Sequence, residues 1–347
     1  MKLVMTLLVR DEADILDAQI AFHLHAGVDF VIATDNRSTD GSTEILERYE
    51  RAGVLHLIRE QGDDMRQSEW VTRMARLAAT GFGADWVLHA DADEFWWPRG
   101  GNLQEVLAAV PSRYGVVRGC WRHFLPRADD GSFFAERMTV RLAEPAFPGD
   151  KTTIFHAHQK VAHRAGPDAV VEAGNHNVEG EGLEPLRAWH PIEVLHFSFR
   201  TVAQVARKAR GGWLRNRGYD PTLHQYLLDD AVREGRAETF YESFVVSDEA
   251  LADGLVDGSL AVDTRLRAAL RTLGGGGSFD PPASGADSIL AFPRPGVRDD
   301  AMYAGEASVL VSIDGIVRAE GRIDAFERRL ATLEQGPRGR LRRLAPR

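Results

Sequence analysis

Trp86-Val87-Leu88-His89-Ala90, running into Asp91-Ala92-Asp93-Glu94-Phe95, governs how the rest of the chain is read. The first half is a nearly unbroken apolar run, as a strand buried on both faces would be, and it ends in acids. Two carboxylates one residue apart at a strand's end both turn toward one site once the backbone leaves the pleat. Hard divalent cations such as Mg²⁺ or Mn²⁺ take oxygen ligands, commonly one or two carboxylates plus substrate phosphates. An isolated Asp-x-Asp is more often a solvated turn, so the surrounding pattern decides its weight.

Upstream, strand and helix alternate. Leu3 to Val9 is a second continuous apolar run, followed by Leu16, Ile20 and Leu24 at helical spacing and a stop at Gly27. Phe30-Val31-Ile32-Ala33 leads to Asp35-Asn36, and the polar turn Ser38-Thr39-Asp40-Gly41 precedes a helix carrying Ile45, Leu46 and Tyr49. Val54 to Ile58 reads as a third strand, and Trp70, Met74 and Leu77 mark the helix before Trp86. Asn102 and Glu105 have the spacing of a capping box. Repeated βα units imply an α/β fold with a doubly wound sheet, whose ligands bind at the carboxyl ends of its strands. Arg10-Asp11-Glu12, Asp35-Asn36 and Asp91-Ala92-Asp93 all fall at such ends.

These three motifs resemble family 2-type glycosyltransferases of the GT-A fold. The likeness is greatest to a bacterial subgroup whose first motif reads Arg-Asn-Glu and whose metal motif reads Asp-x-Asp-Glu-Phe; here Asp11 stands where Asn is usual. The resemblance spans residues 1–100 strongly and 100–210 loosely. It implies a metal-dependent, inverting transfer of a sugar from a nucleotide-diphosphate donor, with uridine the leading base. Carried over, Arg10, Glu12 and Asp35 belong to the nucleoside side, and Asp91 and Asp93 to the ribose and metal; Arg66 and Arg73, in or just before the helix that leads to the metal strand, offer the counter-charge a diphosphate needs, Arg73 near where the family often carries an Arg facing the nucleotide. Many GT-A enzymes complete the metal site with a histidine from a late strand. His196 in Val194-Leu195-His196-Phe197 is the first candidate, and His176 in Gly174-Asn175-His176-Asn177 the second. No glycine-rich dinucleotide fingerprint follows the first strand and no Walker-type loop occurs, which disfavours a Rossmann dehydrogenase or a P-loop protein. A nucleotidyl- or phosphotransferase, and a non-catalytic nucleotide-sugar-binding scaffold, remain the alternatives.

The 347 residues, 44% hydrophobic and 27% charged, are ordinary for a globular protein. A net charge of −9 argues against nucleic acid as partner, and the single Cys120 suits a reducing cytoplasm. The expected organisation is a catalytic domain over 1–200, with a nucleotide-binding half (1–110) and an acceptor half (111–200). A helical extension (201–273), a linker or loop (274–300) and a C-terminal helix with a basic tail (301–347) follow. In the acceptor half, short aromatic and β-branched segments alternate with turns, as in a mixed sheet extension, and seven of the twelve histidines gather there without zinc-site spacing. Phe147-Pro148-Gly149-Asp150-Lys151-Thr152 offers a general base, Asp150, and a diphosphate partner, Lys151, with Glu172, Glu179 and Glu193 competing for the base. The acceptor class, whether glycan, lipid-linked or small molecule, is not legible. Ile316, Ile323 and Leu330 form a heptad seam that packs on its own domain or on a second copy. Five arginines in the last ten residues read as a solvated tail, or as a contact with acidic lipid.

Overall fold

The computed structural model describes residues 1–62, 66–143, 155, 158–187, 189–210, 224–286 and 289–294. The first half alternates as the apolar runs require: β1 (Leu3–Val9), α1 (Ala13–His25), β2 (Phe30–Asp35), α2 (Ser42–Arg51), β3 (Leu55–Arg59), α3 (Gln67–Gly81), β4 (Trp86–Asp91), β5 (Glu94–Pro98) and α4 (Leu103–Ala108). Next come β6 (Val116–His123), α5 (Phe134–Arg137), β7 (Val140–Leu142), β8 (Gln159–Arg164), β9 (Val170–Val171), β10 (Val178–Glu179) and β11 (Ile192–His196). The remainder holds α6 (Val202–Arg210), α7 (His224–Arg233), α8 (Ala237–Glu242), α9 (Asp248–Asp257), β12 (Leu260–Val262) and α10 (Arg265–Thr272).

Among the described residues, eight strands form one sheet in the order β3-β2-β1-β4-β8-β6-β11-β5. The β1, β2, β3 and β4 pairings are parallel, whereas β8 runs antiparallel to both β4 and β6, and β11 is parallel to β6 but antiparallel to β5. The expected doubly wound half and mixed extension are therefore both present.

Alternation along β1 explains why its run is continuous. Leu3, Met5, Leu7 and Val9 enter one core with Ile15, Leu16, Ile20 and Phe22 of α1, while Val4 enters another with Val71, Met74, Ala75 and Ala78 of α3. Each such side chain removed from water contributes roughly 1.5–3 kcal/mol, which selects this pairing of faces. Gly27 ends α1 at φ +108°, a conformation glycine alone adopts readily. Asn102 and Glu105 form the expected capping box of α4.

Beyond residue 200 the described chain is mostly helical, with β12 adding one short antiparallel pairing to β7. The stretch after Gly274 is irregular, yet Phe279, Leu290 and Phe292 are buried in the main core, so it is strapped to the domain by apolar contacts. Asp150, Lys151 and the C-terminal heptad seam lie outside the described residues. No described helix is long and apolar enough to cross a membrane.

Candidate active site at the strand-end edge

Strand direction gathers the polar residues. β1, β2, β4, β6 and β11 all end at one edge, where the antiparallel β8 and β5 begin. Glu12, Asp35, Asp91, Lys160, His123, His196 and Glu94 are therefore brought to the same edge from positions scattered along the sequence. His196 is registered opposite both His123 and Glu94, so the three form a row across β6, β11 and β5.

One ligand atom each from Asp93, Glu94 and His196 lies within 4.8 Å of the others. Asp93 is buried in the turn between β4 and β5; its Oδ1 stands 3.6 Å from His196 Nε2, and its Oδ2 accepts a 2.5 Å hydrogen bond from Lys208 Nζ. Burial alone would raise the Asp93 pKa, but the charge of Lys208, the facing His196 ring and the charge of Arg200 hold it well below the usual carboxylate range. Glu94 is wholly buried: it accepts from the Trp121 indole at 2.8 Å and the Asp91 amide at 3.0 Å, and pairs with Lys160 at 3.0 Å. Burial pushes its pKa up, with Lys160 opposing.

Asp91 faces elsewhere. Its carboxylate takes hydrogen bonds from Lys160 Nζ at 2.5 Å and Asn175 Nδ2 at 3.1 Å, and it is not part of the Asp93–Glu94–His196 group. Lys160 is 1% exposed and carries a raised pKa: burial would lower it, but Asp91 and Glu94 outweigh that cost. Asn175 reaches Asp91 from a left-handed backbone at φ +60°, which asparagine tolerates.

The two upstream motifs interlock. Arg10 donates to Asn36 at 3.2 Å, the Asp11 amide to Ser38 Oγ at 3.0 Å, the Glu12 amide to Ser42 Oγ at 2.9 Å and the Ala13 amide to Asp40 at 3.0 Å. Asp35 is buried and accepts from the Ser38 amide at 3.1 Å and Thr43 Oγ1 at 2.5 Å. Glu12 pairs with the fully buried Arg200, which also binds Asp14 at 2.7 Å and lies 3.9 Å from Asp93. Burial raises the Glu12 pKa despite Arg200 and Lys208.

The other sequence candidates sit outside the Asp93 cluster. His176 donates from Nδ1 to the Gln159 carbonyl at 2.7 Å and stacks on His158, with ring centroids 3.4 Å apart, rather than joining the Asp93 group. Arg66 pairs with Glu69 and Arg73 with Glu60, and both line an open groove along α3 with Arg76 and Val170. That groove meets the site through Gln67, which accepts from the amide of Gly174, next to Asn175. Glu193 is clamped by Arg99, Arg122 and Arg265; burial opposes their effect, yet they hold its carboxyl far below the usual range, a poor setting for a base. The sequence by itself does not single out Lys160, Asn175, Trp121, Arg200 or Lys208. No local spacing marks them, because each meets its partner across a long stretch of sequence, from 27 residues for Trp121 to 188 for Arg200.

No protein-family model matches the sequence, and no curated protein matches it. Among solved structures, glucosyl-3-phosphoglycerate synthase from Mycobacterium tuberculosis in complex with Mn²⁺, UDP and phosphoglyceric acid is 18% identical over 37% of this chain and 44% of that chain, with a TM-score of 0.25. The same enzyme with Mg²⁺ and UDP is 17% identical over 37% of this chain and 45% of that chain, with a TM-score of 0.25. The chain thus spans under half the length of that synthase. S. aureus TarS 1–349 in complex with UDP is 12% identical over 67% of this chain and 70% of that chain, with a TM-score of 0.32. The α/β fold with its mixed extension follows from the sheet order above.

Proposed function

We propose that the chain is a glycosyltransferase that moves a sugar from a nucleoside-diphosphate donor, with uridine as the leading base, to an acceptor hydroxyl with the aid of a divalent cation. The observation behind this reading is the convergence of Asp93, Glu94 and His196 at the strand-end edge beside Glu12 and Asp35. The residues fit such an ion. Ligands about 2.0–2.1 Å from one Mg²⁺ stand roughly 3–4.2 Å apart, so the 4.8 Å spread requires only a small closure. Two carboxylates and an imidazole also suit Mn²⁺. A bound ion would supply counter-charge to the departing diphosphate.

The remaining roles belong to the chain. Asp93 is kept ionised, and Glu94 is oriented by Trp121 and the Asp91 amide. Lys160 balances Asp91 and Glu94 together, so the acids are held near each other without mutual repulsion forcing them apart. Asp35, at the end of β2, is the proposed partner of the base, and Asp91 that of the ribose. The acceptor's proton is assigned to Asp150, with Lys151 beside the diphosphate. Displacement at the anomeric carbon in one step gives inversion.

Calorimetry with UDP and Mn²⁺ tests the reading. The parent should bind UDP in Mn²⁺ and lose most of that affinity in chelator. Asp93→Asn should weaken it by about tenfold or more, since losing a charged acceptor costs roughly 1.5–3 kcal/mol. UDP affinity indifferent to both Mn²⁺ and Asp93→Asn would sink the assignment.

A further inference from the structure

We propose that Lys208 is an exchangeable counter-ion: its ammonium occupies Asp93 and Glu12 until a divalent cation takes Asp93, and it then turns to the donor's diphosphate. This rests on the cation reading of Asp93, Glu94 and His196 given above.

Among the described residues, three cations lie beside the acids, and they differ in freedom. Lys160 is 1% exposed on a strand, with acids at 2.5 and 3.0 Å, so it has no other place to go. Arg200 is fully buried and held by Glu12, Asp14 and the Phe197 carbonyl. Lys208 stands on α6 with its side chain 28% exposed, 2.5 Å from Asp93, 3.3 Å from the Ser198 carbonyl and 4.0 Å from Glu12. A lysine ammonium is a compact charge on a flexible four-carbon stem, so it can swing without repacking the core.

Asp93 is the shared element. One of its oxygens faces His196 and the other Lys208. A divalent cation bound to Asp93, Glu94 and His196 therefore arrives beside a like charge, and the repulsion is strong where water is scarce. Releasing Lys208 relieves it, and a diphosphate on that cation offers the ammonium a new partner. The side chain that opposes the bare ion thus favours the ion with its nucleotide, which makes metal and donor binding cooperative.

The consequence is a pair of effects of opposite sign. Mn²⁺ alone, titrated into nucleotide-free protein and followed by loss of the free-ion electron paramagnetic signal, should bind Lys208→Met about five- to tenfold more tightly than the parent. UDP titrated in saturating Mn²⁺ should bind the same variant about tenfold more weakly. Lys208→Arg, which keeps the charge, should stay within about twofold of the parent for Mn²⁺ alone, and Lys208→Gln should behave as Lys208→Met if the latter fails to fold by circular dichroism. If the parent binds Mn²⁺ but neither neutral variant binds it more tightly, the exchange is wrong while the cation site stands. If UDP affinity is unchanged in the neutral variants, the transfer to diphosphate is wrong. If no Mn²⁺ binds the parent with or without UDP, the cation reading itself falls and takes the exchange with it.

Discussion

At the scale of single residues, His196 has two polar neighbours at its Nδ1, the His123 ring and the Ser198 hydroxyl, both at 3.3 Å. Its Nδ1 stands 3.3 Å from Nδ1 of His123, while Nε2 faces Asp93. Two ring nitrogens share a hydrogen bond only when one donates and the other accepts. An imidazole that offers Nε2 to a cation carries its proton on Nδ1 and usually donates it to a neighbouring acceptor. The choice of His123 Nδ1 over Ser198 Oγ as that acceptor, with the proton of His123 on Nε2, is what variants at His123 test. His123→Asn places an amide oxygen near the Nδ1 position, whereas His123→Phe keeps the ring and removes the acceptor. Mn²⁺ affinity is expected to fall roughly 10–100-fold in the phenylalanine variant and to be largely rescued in the asparagine variant. Equal losses in both would mean that His123 acts through packing alone.

At the scale of elements, the loops after β1 and β2 behave as one interlocked turn, and Asp11 is its pivot. Its backbone is left-handed at φ +56°, and its carboxylate accepts from the Thr39 amide at 2.7 Å and from Thr39 Oγ1 at 3.2 Å. Aspartate and asparagine both tolerate that conformation and both present an acceptor, which explains why Asp serves where the resembling family carries Asn. Asp11→Asn should leave stability within about 0.5 kcal/mol. Asp11→Ala should cost about 2 kcal/mol, from left-handed strain plus a lost hydrogen bond. Urea midpoints of the two variants check this, and an alanine variant as stable as the parent would remove the pivot role.

At the scale of the whole molecule, buried neutral histidines tie stability to pH. His23 accepts from the Trp96 amide at Nε2 (3.1 Å) and donates from Nδ1 to the Gln19 carbonyl (2.8 Å), so protonation would destroy one bond. Burial lowers its pKa to about 4, and burial likewise lowers that of His163 to about 4. A base whose folded pKa lies below its unfolded value of about 6.5 contributes no penalty above that pH and destabilises the fold as pH falls toward 4. At pH 5 the penalty is roughly 2 kcal/mol for each of the two. Glu12 and Glu94, with raised values, act in the opposite direction, so the parent's total is a balance. His23→Gln isolates one contribution: its stability difference between pH 7.5 and pH 5 should be smaller than the parent's by about 2 kcal/mol. Denaturant titrations at both pH values giving the same difference for both proteins would refute the assignment.

Local rules were enough for the first hundred or so residues. Apolar runs at β1, β2 and β4, helical spacing in α1 and α3 and the Asn102 cap are all written within a few residues of one another, and the acids at the strand ends follow from the same pattern. His196 was legible as well, as the polar end of an apolar strand, and it lies beside Asp93. The partners of the acids were not. Lys160 meets Asp91 across 69 residues, Lys208 meets Asp93 across 115, and Arg200 meets Glu12 across 188. Periodicity reports which face of a strand is buried, but it is silent on which strand lies next to which. The antiparallel entry of β8 between β4 and β6 delivers Lys160 to the acids, and the placing of β11 beside β5 sets His196 against Glu94. The same tertiary pairing turned Asp91 toward Lys160 and Asn175 and left Asp93 with Glu94 and His196. The sequence thus determined that acids would stand at this edge, whereas the sheet order decided which of them converge and which cations they meet, because those contacts depend on strand neighbours that no local pattern encodes.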